Sequence, residues 1–207
     1  GTRADRKRAL CDDDMGKVFA RLPRYSAVTP AMRRAQELFI LMFLLRGLPF
    51  VDLAYLRKSD LRDNVITYRR RKTGRPLSVT LTPEAMLLLK RQMDVDSSSP
   101  YLFPLLKSSE GTKEAYHEYQ LALRNFNRQL LLLGEVLGLN DKLSSYTARH
   151  TWATTAYYCE VHPGIISEAM GHSSITVTET YLKPFRNRKI DEANMRIVDF
   201  VKSSVEN

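Results

Sequence analysis

Apolar residues gather in a few stretches, and their spacing predicts a string of helices interrupted by one small sheet. From 38 to 45 every position is apolar, in the order Leu-Phe-Ile-Leu-Met-Phe-Leu-Leu. A helix that is apolar nearly all round belongs in the middle of a domain. Its start is marked by Thr29-Pro30, a cap residue followed by a proline suited to the first helical position. A membrane span needs about 18 such residues in a row, so this run reads as a buried core helix. Before it, Asp12-Asp13-Asp14 offers cap oxygens and charge that suits a helix start, predicting a short helix to Leu22 with Pro23 as its stop. After it, a short helix is expected over 51–56 and a strand at 59–61. Two further strands are expected over 65–70 and 77–81, with the turn Lys72-Thr73-Gly74-Arg75 between them. Thr82-Pro83-Glu84 repeats the cap-and-proline start, for a helix to about Met93. Residues 94–100 form a Ser-rich loop. A long amphipathic helix over 114–137 ends at Gly138, and helices over 147–158, 163–170, 174–182 and 191–205 complete the chain. The expected fold class is mainly α with a small antiparallel β-sheet.

Charge adds a partner to this picture. The 207 residues carry 32 Lys plus Arg against 23 Asp plus Glu, a net charge of +9. Such an excess favours a polyanion, most often nucleic acid. The two cysteines, Cys11 and Cys159, suit neither a disulfide framework nor a zinc site and fit a reducing cytoplasm. The charged N-terminal stretch lacks the apolar core of a secretory signal. Residues 1–9, with Arg3, Arg6, Lys7 and Arg8, read as a basic linker, and 10–207 as one domain. The chain opens Gly1-Thr2 without an initiator Met, so a longer parent protein is expected.

The candidate chemistry lies in the second half. Ala148-Arg149-His150 is followed by Gly171-His172, and Tyr181 comes nine residues after that histidine. Cleaving a phosphodiester without a metal needs a nucleophile, cations on the non-bridging oxygens, an acid for the leaving oxygen and a fixed geometry. A tyrosine ester conserves the bond energy for rejoining. Arginine's planar fork binds two phosphate oxygens. Lysine or histidine donates a proton. Neither a phosphate-binding Gly-rich loop nor a metal-ligand cluster is present in the sequence, so neither nucleotide nor metal cofactor is expected.

These boxes resemble the active-site signature of tyrosine recombinases, the phage-integrase superfamily, from about residue 9 onward. Tyr101-Leu102-Phe103-Pro104 also resembles the family's loop between sheet and long helix. The resemblance implies Tyr181 as nucleophile, Arg149 as a phosphate clamp, His172 as the third-box histidine and Lys72, on the hairpin, as general acid. Two positions depart from the pattern. Pro49 of Gly47-Leu48-Pro49-Phe50-Val51-Asp52 stands where the family has its first arginine, and Tyr146 stands where it has the first histidine. That pair of departures looks like integrases of Bacteroides-type mobile elements, which implies an arginine from outside the usual slot. Arg46 is the candidate. Tyr146 is expected to offer a hydroxyl to a phosphate oxygen, not an imidazole's basicity. His150 is given no chemistry.

The resemblance further implies a specific duplex crossover site as substrate, a bacterial cytoplasmic setting at the nucleoid, self-assembly into a tetramer on DNA, and accessory DNA-bending proteins. No membrane role is expected. The apolar side of Met195-Arg196-Ile197-Val198-Asp199-Phe200-Val201 is expected to pack into a neighbouring protomer. Family members carry DNA-binding domains ahead of this one. Since nine residues cannot hold them, this chain alone is expected to bind DNA weakly and with steep salt dependence. Two other functions stay open at this point. Helices joined at Gly171 also suit a helix-turn-helix regulator without chemistry. The same chemistry also suits a type IB topoisomerase-like enzyme that relaxes DNA.

Overall fold

The computed structural model describes residues 9–22, 27–180 and 185–205. Helix α1 (Asp12–Phe19) is followed by the central α2 (Pro30–Leu44), the short α3 (Phe50–Tyr55) and a 3-10 turn (Lys58–Asp60). Three strands come next, β1 (Leu61–Arg62), β2 (Val65–Arg69) and β3 (Pro76–Thr80). Then follow α4 (Pro83–Gln92), α5 (Lys113–Leu137), α6 (Thr147–Tyr158), α7 (Pro163–Met170), α8 (Ile175–Glu179) and α9 (Asn187–Val205). The mainly α class with a small antiparallel sheet is what the apolar pattern predicts.

Local chemistry explains the element starts. The Thr29 hydroxyl accepts from the Met32 N–H at 3.2 Å, and Pro30 sits in the first turn of α2. Thr82 accepts from Ala85 N–H and Thr112 from Ala115 N–H, both at 3.2 Å, at the starts of α4 and α5. Each such cap satisfies a backbone donor that the helix cannot. Helix α2 buries Phe39, Leu41 and Met42 completely and packs against α4, α5 and α6. The Phe50 ring lies on Phe126 at 4.6 Å and joins α3 to α5. Buried Asp14 accepts from the backbone N–H groups of Asn140 and Asp141, tying α1 to the end of α5.

The sheet runs β1-β2-β3, antiparallel throughout, with Ile66 opposite Val79 and Tyr68 opposite Leu77. The strand expected at 59–61 is mostly a 3-10 turn. Asp60 accepts from the Arg57 N–H at 2.8 Å and curls the chain before only two residues pair as β1. Helix α1 ends at Phe19, short of Leu22, and Pro23 lies outside the described residues. Helix α9 starts four residues earlier than the charge pattern suggests, at Asn187. No helix among the described residues is long and apolar enough to cross a membrane.

Candidate active site

The site forms around the C-terminal end of α7. That helix stops at Gly171, whose φ of +63° is a left-handed turn that glycine adopts without strain. The turn points the carbonyls of Met170, Gly171 and His172 toward the rest of the domain. A helix C-terminus is the negative end of its dipole and attracts cations. Arg149, on α6, is buried and donates from Nη1 to Gly47 O at 3.0 Å and from Nη2 to Met170 O at 2.9 Å. Arg70, just past β2, donates from Nη1 to Met170 O at 3.3 Å and to Gly171 O at 3.1 Å. One carbonyl oxygen therefore serves two guanidinium groups. Gly47 permits this closeness, since a Cβ there would lie 2.9 Å from the Arg149 Cα.

Asp52, on α3, is the buried counter-charge. Its Oδ1 accepts from the Arg71 N–H at 2.9 Å. Its Oδ2 lies 3.7 Å from Arg70 Nε, within charge-pairing range but too far for a hydrogen bond. Burial lifts the Asp52 pKa above the usual carboxylate value, opposed by the Arg71 N–H and by the charges of Arg70, Arg149 and Arg71. The Tyr68 phenol sits beneath this group. Burial first, and the Asp52 charge second, push its pKa up, so it stays protonated.

His172 is 3 % exposed, and its Nδ1 lies 2.7 Å from the Thr178 hydroxyl on α8. Burial, followed by the charges of Arg149, Arg70 and Lys72, lowers its pKa to about 4. The ring is therefore neutral at neutral pH, and Lys72 lies near enough to act on it. An unfolded histidine titrates near ~6.5. The stabilisation from keeping this ring neutral is full above that value and is lost as pH falls toward about 4. Folding stability should drop by about 2 kcal/mol between about pH 7 and pH 5 on this account. In His172→Gln that part of the drop should vanish, as read by chemical denaturation at the two pH values. An unchanged drop would place the titrating group elsewhere.

The structure thus brings together Arg149, His172 and Lys72. Arg46 follows the C-cap of α2 in a left-handed conformation, φ +61°, and lines a cleft with Arg75, Trp152 and Gly171. Its charge reaches Tyr68. Tyr146 is the N-cap residue of α6, 63 % exposed, three residues before Arg149. His150 is half-buried on the same helix. Tyr181 lies outside the described residues, just after α8. Arg70, Asp52 and Tyr68 join the site without having been singled out. A signal for Arg70 was present. It falls in step with Ile66 and Tyr68 on the inward face of β2, where alternation calls for an apolar residue. Among the described residues no cluster suits a metal ion.

The model of the phage integrase family matches residues 23–188, and the chain belongs to that family. It is 25% identical over 182 residues to tyrosine recombinase XerA of Pyrococcus horikoshii, covering 85% of this chain and 56% of that protein. It is 23% identical over 180 residues to tyrosine recombinase XerC of Rickettsia massiliae, covering 85% and 55%. The chain spans just over half the length of these relatives. Among solved structures, Tn1549 transposon integrase in complex with transposon right end DNA superposes with a TM-score of 0.63. The identity is 16%, covering 93% of this chain and 66% of that one. A crystal structure of XerA recombinase gives a TM-score of 0.60 at 18% identity, covering 91% and 65%. These likenesses show a shared fold.

Proposed function

We propose that this chain is the catalytic part of a site-specific DNA recombinase, an integrase that cuts and rejoins duplex DNA through a 3′-phosphotyrosyl link. One observation carries the reading: the charges of Arg149, Arg70 and Lys72 converge on a neutral, buried imidazole at the α7 corner, with the buried Asp52 carboxylate paired to Arg70. Two guanidinium groups on one carbonyl oxygen repel each other, and an anion between them relieves that repulsion. A scissile phosphate is such an anion. Tyr181 Oη bonds to phosphorus as the P–O5′ bond breaks. His172 helps stabilise the pentavalent transition state, the phenolic proton passes to water, and Lys72 gives a proton to O5′. Arg149, with Arg46, holds the non-bridging oxygens, and the exposed Tyr146 hydroxyl donates to one of them. Attack by the 5′ hydroxyl of a partner strand reverses the step and passes strands through a Holliday junction. The exposed apolar residues of α9, among them Ile197 and Phe200, support assembly with further copies into a tetramer on DNA. The Arg46–Asp52 segment, with Tyr146 and Arg149-His150, supports a place among Bacteroides-type mobile-element integrases, acting in the bacterial cytoplasm.

The helix-turn-helix reading gains little support. Helix α8 spans only five residues, and the corner before it is turned inward onto arginines. A topoisomerase-like relaxing enzyme shares the chemistry and differs in outcome.

Nicked suicide duplexes built from the DNA flanking the gene, with EDTA present, test the proposal. A covalent protein–DNA adduct is expected, and none with Tyr181→Phe. Intact DNA binding without an adduct on any flank would sink the reading. Relaxation of supercoiled plasmid without strand exchange would move it to the topoisomerase class. Arg46 has its own test. Arg46→Gly should relieve the left-handed backbone by about 1 kcal/mol and raise the melting temperature. It should still slow cleavage by roughly 100-fold. Unchanged cleavage would transfer the second clamp to Arg70.

A further inference from the structure

The Lys72 turn is gripped at its flanks. Arg70 N–H donates to Arg75 O at 2.9 Å, and Gly74 N–H donates to Arg70 O at 2.7 Å, which closes the loop on itself. Gly74 takes a φ of +70° at its far side. Beyond the loop, the Thr73 hydroxyl donates to Gly171 O at 3.2 Å, and Arg75 Nη1 donates to His172 O at 2.7 Å. The Thr73 oxygen also accepts from Arg75 N–H at 3.4 Å. Two residues that follow the lysine in its turn thus hold carbonyls of the very corner that carries the histidine and leads into α8.

We infer that Thr73 and Arg75 are positioning residues that clasp the Lys72 turn onto the Gly171–His172 corner, so that the acid moves with the segment bearing the histidine. The inference rests on the proposed cleavage reaction and on Lys72 as its acid. A lysine on a surface hairpin has four flexible side-chain bonds and, without an anchor, a flexible backbone beneath them. Two hydrogen bonds from the turn to the corner remove the second freedom. A displacement of about 1 Å at a reacting group costs on the order of 100-fold in rate. The clasp also explains why Arg75, an otherwise exposed residue, turns its guanidinium to a backbone oxygen.

The test compares two leaving groups at the scissile phosphate of the duplex identified by covalent trapping. The natural substrate breaks a P–O5′ bond and needs a proton on the leaving oxygen. A substrate with sulfur in that bridging position breaks a P–S bond and releases a 5′ thiolate, which departs without a proton because thiols ionise near ~8.5. A defect confined to acid delivery is therefore bypassed by sulfur. Lys72→Ala sets the reference. Thr73→Val and Arg75→Gln should cleave the oxygen substrate roughly 10- to 100-fold more slowly than wild type. Both should return to within about threefold of wild type on the sulfur substrate, as Lys72→Ala does, with DNA affinity and melting temperature measured alongside.

Clasp variants that remain slow on sulfur while Lys72→Ala is rescued would overturn the inference, because their defect would then lie in DNA contact, folding or His172. Clasp variants as fast as wild type on oxygen would overturn it too. If Lys72→Ala itself is not rescued, the acid is not Lys72 and the inference falls with that assignment. If no adduct forms at all, the cleavage reaction itself has failed, which the trapping assay shows separately.

Discussion

Arg149→Lys is expected to slow cleavage by roughly 1,000-fold while leaving DNA affinity within a few-fold of wild type. The charge is retained, so attraction to the phosphate backbone persists. The fork is lost. In the folded domain Arg149 spans Gly47 O and Met170 O with two different nitrogens. A single ammonium cannot span both; Met170 O keeps its bond from Arg70 Nη1, whereas losing the bond to Gly47 O costs about 1–3 kcal/mol. The same side chain therefore joins the α2–α3 connection to the end of α7 and is the proposed phosphate clamp. Melting temperature and single-turnover cleavage should fall together. Cleavage within tenfold of wild type would remove Arg149 from the reacting group.

Gly47→Ala should also slow cleavage, by a smaller factor, without touching any polar group. The new methyl would stand 2.9 Å from the Arg149 Cα, which belongs to the helix backbone and cannot swing away. The φ of +70° adds the penalty of a left-handed L-residue. Together these cost about 2–4 kcal/mol and displace α6 from the α2–α3 connection. Cleavage should drop by about 100-fold through misplacement of Arg149. Gly74→Ala is the control. Its φ is also +70°, but nothing lies within 4 Å of the added methyl, so it should lose only about 1 kcal/mol. Equal melting temperatures for the two variants would show that the close approach at Gly47 carries no weight.

Much of the architecture could be read from local signals. Thr29-Pro30 and Thr82-Pro83 mark helix starts because their caps are made within three residues. Gly138 ends α5 by its own left-handed backbone, φ +64°. The turn around Lys72 is bounded by two alternating strands. What stayed hidden depends on distant chain. Asp52, Arg70 and Met170 meet only after α3, β2 and α7 have packed, and nothing within a few residues of Asp52 announces a partner. The strand misread at 59–61 has a similar origin, since the Asp60 carboxylate bonds back to Arg57 and its side chain decides the backbone path. The candidates Arg149, His172 and Tyr181 stand out in order along the chain, and Arg149 and His172 meet at the α7 corner. The neutrality of His172 was not legible, because burial and three cations set it together.

Helix α9 has a thermodynamic consequence of its own. Its nineteen residues bury no side chain, and the ties that reach it include charge pairs from Lys189 and Arg196 to Glu160. Isolated helices near this length are marginal in water, because nucleation is costly and each further residue gains little. The helicity of this segment is thus tied to whatever covers Ile197, Phe200 and Val201. In dilute protein the segment sits on a helix–coil balance, and circular dichroism should report more helix as concentration rises. If copies assemble on DNA as proposed, part of the free energy of meeting another copy would be spent on ordering the tail. Contacts made through α9 would then be weakened in free solution by that amount and become firm once DNA holds the copies side by side at high local concentration. On that proposal the tail would act as a filter that ties strand exchange to an assembled complex.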